Sequence, residues 1–129
     1  EYVAGQPYVN AVLSMFPAGR VSPGPEFANN AENNNLGNFI AWDAGEGKIK
    51  WSIPERFSVW SGALTTAGGV VFYGNLEGYL KAVDATNGKL LWHFNAAQSW
   101  KAGPMTYLAD GAQHIAIAAG STIVSFRLR

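Results

Sequence analysis

The side chains able to do chemistry are few and scattered. Nine Asp and Glu, nine Lys and Arg, two His and no Cys make up the reactive inventory of 129 residues. Without cysteine there is no disulfide, thiolate metal site or thiol nucleophile. His93 lies in a Trp-His-Phe run and His114 opens another apolar run. Two isolated histidines make no metal site, so each reads as an ordinary strand histidine. The sequence holds no Gly-x-Ser-x-Gly elbow, phosphate-binding loop or dinucleotide fingerprint. Gly68-Gly69 reads as a hairpin turn, and Lys48 and Lys50 read as solvated turn residues. What does recur is a pairing of Asp with Trp: Asp43 precedes Trp51 at the same spacing as Asp84 precedes Trp92.

The remaining composition narrows the partners. The formal net charge is zero, which gives no electrostatic footprint for nucleic acid or an anionic membrane surface. No apolar run approaches the roughly 18 residues of a membrane span. The chain opens Glu1-Tyr2-Val3, without an initiator Met or a targeting segment, and reads as mature or as a piece of a longer protein.

The elements that must position these residues are strands. Fifteen glycines and 13% aromatics accompany short apolar runs that stop at turn residues. Val70-Val71-Phe72-Tyr73 stops at Gly74-Asn75, Tyr79-Leu80-Lys81-Ala82-Val83 at Asp84, and Leu90-Leu91-Trp92-His93-Phe94 at Asn95. His114-Ile115-Ala116-Ile117-Ala118-Ala119 stops at Gly120, and Thr122-Ile123-Val124-Ser125-Phe126 follows. No helical stripe persists for three turns, so the fold class is all-β. Nearer the start, Tyr8-Val9-Asn10-Ala11-Val12-Leu13 is the best strand stretch. Ser22-Pro23-Gly24-Pro25 and an Asn- and Ala-rich stretch then predict a long surface loop over about 17–37.

The Asp–Trp pairs belong to an internal repeat. Residues 37–51 align with 78–92 at a constant offset of 41, and Gly, Ala, Asp, Gly, Lys and Trp recur at the same places. Gly62-Ala63-Leu64-Thr65 falls on Gly103-Pro104-Met105-Thr106 at the same offset. A period of about 40 residues carrying four short strands is that of a β-propeller blade. The Asp side chain can accept hydrogen bonds from the N–H groups of the turn after it. Gly47 and Gly88 can supply the positive φ that closes the hairpin. Trp51 and Trp92 then fall on outer strands, where an indole can wedge against the neighbouring blade. The chain provides about two and a half to three four-stranded antiparallel blades. Closed propellers need about four or more, which predicts that the arc is completed by a longer polypeptide, by self-association or by a partner chain.

Several stretches resemble one family. Ala82-Val83-Asp84-Ala85-Thr86-Asn87-Gly88-Lys89-Leu90-Leu91-Trp92 resembles the tryptophan-docking motif of quinoprotein alcohol dehydrogenases, the methanol and ethanol dehydrogenases that use pyrroloquinoline quinone (PQQ). The run from Trp60-Ser61-Gly62-Ala63 to Gly74-Asn75-Leu76-Glu77-Gly78 is similar to a late-blade signature of that family. Tyr2-Val3-Ala4-Gly5-Gln6-Pro7-Tyr8-Val9 and Gly103-Pro104-Met105-Thr106-Tyr107 match family patterns too. The resemblance spans residues 1–129 as the C-terminal part of an eight-bladed PQQ-type propeller. It implies oxidation of a primary alcohol to an aldehyde in the bacterial periplasm, with PQQ near the propeller axis. It also implies a Ca2+ or lanthanide ion as Lewis acid and electron transfer to a cytochrome c.

The resemblance assigns this chain no catalytic or metal-binding residue, since no Asp or Glu here matches the family's acidic set and the family's adjacent cysteines are absent. For cofactor contact it singles out Trp60, at the inner end of a blade's first strand, with Ser61 beside it. A family segment of the Gly-Gly-Trp type near the end is replaced here by Ala118-Ala119-Gly120-Ser121, so main-chain groups around Ala119 are the candidates in its place. The rival reading is a non-catalytic PQQ-like propeller module that acts as a protein-binding scaffold. The Asp–Trp motif is structural and cannot separate the two readings, whereas Trp60 can, because docking does not need it.

Overall fold

The computed structural model describes residue 35 and residues 37–127. The chain divides into units of residues 1–34 and 35–129, and the described residues all belong to the second. The strand expected at Tyr8–Leu13 and nearly all of the loop expected at 17–37 lie outside them.

Among the described residues there is no helix. Nine strands follow in order: β1 (Gly37–Asp43), β2 (Lys48–Glu55), β3 (Ala63–Thr65), β4 (Val70–Gly74), β5 (Tyr79–Asp84), β6 (Leu90–Asn95), β7 (Met105–Ala109), β8 (Ala112–Ala119) and β9 (Thr122–Arg127). They form three sheets, β1-β2, β3-β4-β5-β6 and β7-β8-β9, each a meander of sequential neighbours. Every pairing is antiparallel. The middle sheet is a complete four-stranded blade. By the 41-residue offset, β1-β2 are the outer two strands of the blade before it and β7-β8-β9 the inner three of the blade after it.

The period of two along the middle strands explains why three sheets pack face to face. Val71, Tyr73 and Val83 point to one side, where they pack with Phe39, Trp51 and Ile53 of the first sheet. Phe72, Ala82 and Leu80 point to the other, against residues of the third sheet: Ile115 meets Phe72 and Ala82, while Ile117 and Ala119 join Leu80 and Trp100. With both faces covered, β4 reads as a continuous apolar run rather than an alternating one.

The two Asp–Gly hairpins form where the repeat predicts them. Gly47 N–H donates to Asp43 O and Gly88 N–H to Asp84 O, both at 2.8 Å. The two glycines adopt φ of 65° and 73°. Asp43 Oδ1 accepts from the N–H groups of Gly45 and Glu46 at 2.9 and 3.0 Å, and Asp84 Oδ1 accepts from Thr86 N–H at 2.7 Å. Hydrogen bonding from the Thr86 side chain, and then from its N–H, holds the Asp84 carboxyl below its usual range. Beyond each turn the register slips by one residue at equivalent places. Ala41 pairs with Trp51 while Trp42 pairs with Ile49, and Ala82 pairs with Trp92 while Val83 pairs with Leu90. Lys50 and Leu91 are therefore the extra residues of matching bulges, one before each tryptophan.

The tryptophans do lie on outer strands. Trp51 Nε1–H donates to Ala85 O of the next blade at 2.9 Å. Its ring lies on Gly88, where a Cβ would meet it at 2.8 Å. Trp92 meets Phe126 of the third sheet edge-on, with ring centroids 5.1 Å apart.

Candidate cofactor-facing site at the inner blade edges

The site is built from two equivalent positions on adjacent blades. Each connection from an outer strand returns to the first strand of the following blade: 56–62 leads into β3 and 96–104 into β7. These two strands are edges of their sheets, and the edges converge. A Cβ on Gly62 would lie 3.0 Å from Cα of Gly103, its partner at the 41-residue offset. Glycine at 62 lets the two backbones approach this closely, while a Cβ at 103 would still find ordinary contact at 3.6 Å. In a set of radiating sheets the edges that meet are the axial ones.

Trp60 sits two residues before Gly62 and is 44% exposed, unlike the fully buried Trp100. Ser61 fixes the backbone beside it. Its Oγ accepts from Gly74 N–H at 2.7 Å and lies 3.0 Å from both Gly74 O and Gly62 O. The hydroxyl thus extends the β3–β4 ladder by a side-chain link, tying the entry of β3 to the end of β4. Lys101 occupies Trp60's place in the next blade, and its Nζ lies 5.4 Å from the centroid of the Trp60 ring.

Ala119 ends β8 and pairs with Thr122. Its side chain is buried with Leu80, Trp100 and Ile117 rather than at the surface with Trp60. Its neighbours Ala118 and Gly120 line an open hollow of about 460 Å³ together with Gln98, Ser99, Lys101 and Ala102. The structure therefore brings Trp60 and Ser61 together at the inner edge. The Ala119 segment reaches the same end of the sheets through residues flanking Ala119.

Two features were not singled out from the sequence. The first is Lys101, which copying the offset from Trp60 would have found. The second is a buried polar cluster across the first blade interface, centred on Glu55 (2% exposed). Its carboxylate accepts from Tyr73 Oη at 2.6 Å, Asn75 Nδ2 at 2.9 Å and Lys81 Nζ at 2.6 Å. Burial, with the hydrogen bond to Glu55 and its charge, pushes the Tyr73 phenol far above its ordinary value. Phe39 stacks on Tyr73 with centroids 3.8 Å apart. Ala96 takes Glu55's place one repeat on, so nothing periodic announced the cluster. Among the described residues, no group of three or more His, Asp or Glu could hold a metal ion.

Face-packed antiparallel sheets repeating every 41 residues, with equivalent inner edges in contact, are blades of a β-propeller. Residues 54–115 match the family of PQQ-containing glucose, ethanol and alcohol dehydrogenase β-propeller domains. The sequence is 53% identical over 119 residues to a lanthanide-dependent methanol dehydrogenase of Methylorubrum extorquens, covering 92% of this chain and 18% of that one. It is 44% identical over 119 residues to subunit 1 of a methanol dehydrogenase [cytochrome c] of Paracoccus denitrificans, with the same shares. A solved europium-containing methanol dehydrogenase superposes with a TM-score of 0.63 at 44% identity, over 65% of this chain and 15% of that one. The chain belongs to the PQQ-dependent alcohol dehydrogenase family. It spans under a fifth of the length of the curated relatives it matches.

Proposed function

We propose that this chain supplies late blades to a quinoprotein that oxidises a primary alcohol to an aldehyde in the periplasm and passes the electrons to a cytochrome c. The observation that carries the reading is the 53% identity to a methanol dehydrogenase over 92% of the chain. The names of the relatives support the finer parts: one is lanthanide-dependent, one contains europium and one is designated with cytochrome c. PQQ, when bound, supplies the redox chemistry that no side chain of this sequence can.

The residues at the inner edge fit a flat, anionic, aromatic group: an exposed indole, a cation over it, and two side-chain-free backbones beside them. Trp60 offers its ring to the cofactor and Ser61 holds the segment that carries it. Main-chain groups near Ala119 are a further contact in this reading. The catalytic base and the ligands of a Ca2+ or lanthanide ion come from the rest of the protein, which also completes the propeller. Trp51 and Trp92 serve as docking residues between blades, a role supported by the bond from Trp51 to Ala85.

The test uses the intact protein, stripped and then reloaded with PQQ and with Ca2+ or a lanthanide. Aldehyde formation from methanol or ethanol with an artificial electron acceptor is the expected result. A folded protein that takes up no PQQ and forms no aldehyde would overturn the proposal and favour the scaffold reading.

A further inference from the structure

We infer that Lys101 binds a carboxylate of the quinone cofactor, reaching it from the blade next to the one that carries Trp60. This rests on the PQQ reading above and adds a residue to it.

Trp60 and Lys101 hold the same place in consecutive repeats, two residues before the glycines whose backbones touch. A group meeting one of them at the axial edge therefore lies beside the other. The Lys101 backbone is well anchored, since Trp100 is fully buried and its N–H donates to Asn75 O at 3.2 Å. Its ammonium, in contrast, pairs with no carboxylate among the described residues. The ion pairs among the described residues are Lys48 with Glu46 and Lys81 with Glu55, and Glu55 already accepts three hydrogen bonds. The Trp60 ring 5.4 Å away attracts a cation but does not neutralise it.

Lys81, by contrast, is held by Glu55, while Arg56 lies over Phe57 as Lys101 lies over Trp60. Lys101 is also the one charged residue lining the hollow of about 460 Å³, whose other walls are small or uncharged: Gln98, Ser99, Ala102, Ala118 and Gly120. PQQ is a polycarboxylate. A flat ring of that kind meeting Trp60 presents peripheral carboxylates to the groups beside the indole, and among the described residues the cation there is Lys101. An ammonium–carboxylate bond is stronger than one between neutral groups.

The test is a titration of the cofactor-free intact protein with PQQ, followed by quenching of tryptophan fluorescence, in wild type, Lys101→Gln and Lys101→Arg. Lys101→Gln is expected to weaken PQQ binding by about 10- to 100-fold and to reduce its sensitivity to salt. Lys101→Arg should restore most of the affinity, and both cofactor-free variants should melt near wild type. Equal PQQ affinity in wild type and Lys101→Gln would overturn the inference. If Lys101→Gln then melts early, Lys101 is a clamp between blades and not a cofactor ligand. A wild type that binds no PQQ would instead bring down the functional reading itself, and this inference with it.

Discussion

Glu55 gathers three donors across a blade interface, and the balance there depends on every member. Removing the carboxylate strands the Lys81 ammonium, whose side chain is only 19% exposed, and leaves Tyr73 and Asn75 each short of an acceptor. Glu55→Ala should therefore destabilise the intact protein by about 3–5 kcal/mol, read from the denaturant midpoint, with Glu55→Gln losing less. Tyr73 adds a pH dependence of definite sign. The folded protein keeps the phenol protonated at a pH where the unfolded chain has released the proton. Stability from this group is full below the ordinary tyrosine value near 10 and falls as pH rises above it. Melting curves between about pH 8 and pH 11 should fall more steeply for wild type than for Tyr73→Phe; parallel curves would show that Tyr73 does not titrate as described.

At the scale of elements, the hairpin of one blade and the tryptophan of the previous one act as a single joint. Gly88 closes the β5–β6 turn at a φ of 73° and also makes the floor under the Trp51 ring. Gly88→Ala should cost about 1–3 kcal/mol in wild type. In a Trp51→Ala background only the backbone part should remain, so the double-mutant cycle should give a clear coupling energy; additive effects would break the joint apart. Such elements were legible because their chemistry repeats: Asp43 and Asp84, Gly47 and Gly88, and Trp51 and Trp92 stand at one offset. The bulges were not, because Lys50 reads as a solvated turn residue although it lies within β2, Leu91 reads as an ordinary strand residue, and a register slip is a property of the pairing. Glu55 stayed hidden because Ala96 replaces it in the next repeat. Lys101 stayed hidden because its equivalent, Trp60, is of a different type. Ala119 was legible as the end of a strand, but its burial depends on Trp100, which arrives from the preceding connection.

At the scale of the whole molecule, the described sheets leave large apolar side chains uncovered. Leu108 is 79% exposed, Ile123 76% and Trp42 62%, on strands of the incomplete first and third sheets. Stacked units of this kind draw stability from each neighbour, and unpaired apolar surface promotes association. The 129-residue chain alone should self-associate at micromolar concentration; sedimentation as a compact monomer that unfolds cooperatively would contradict this. The separation of roles between inner and outer strands is a property of the complete propeller, and one comparison tests it: bound PQQ per protein, by absorbance, together with thermal unfolding, for Trp60→Ala and Trp92→Ala in the intact protein. The account predicts that Trp60→Ala loses PQQ with little change in the melting temperature of the cofactor-free protein, while Trp92→Ala melts earlier and keeps PQQ when folded. If Trp60→Ala keeps full PQQ occupancy and melts much earlier, Trp60 is a packing residue and the inner-edge site is wrong.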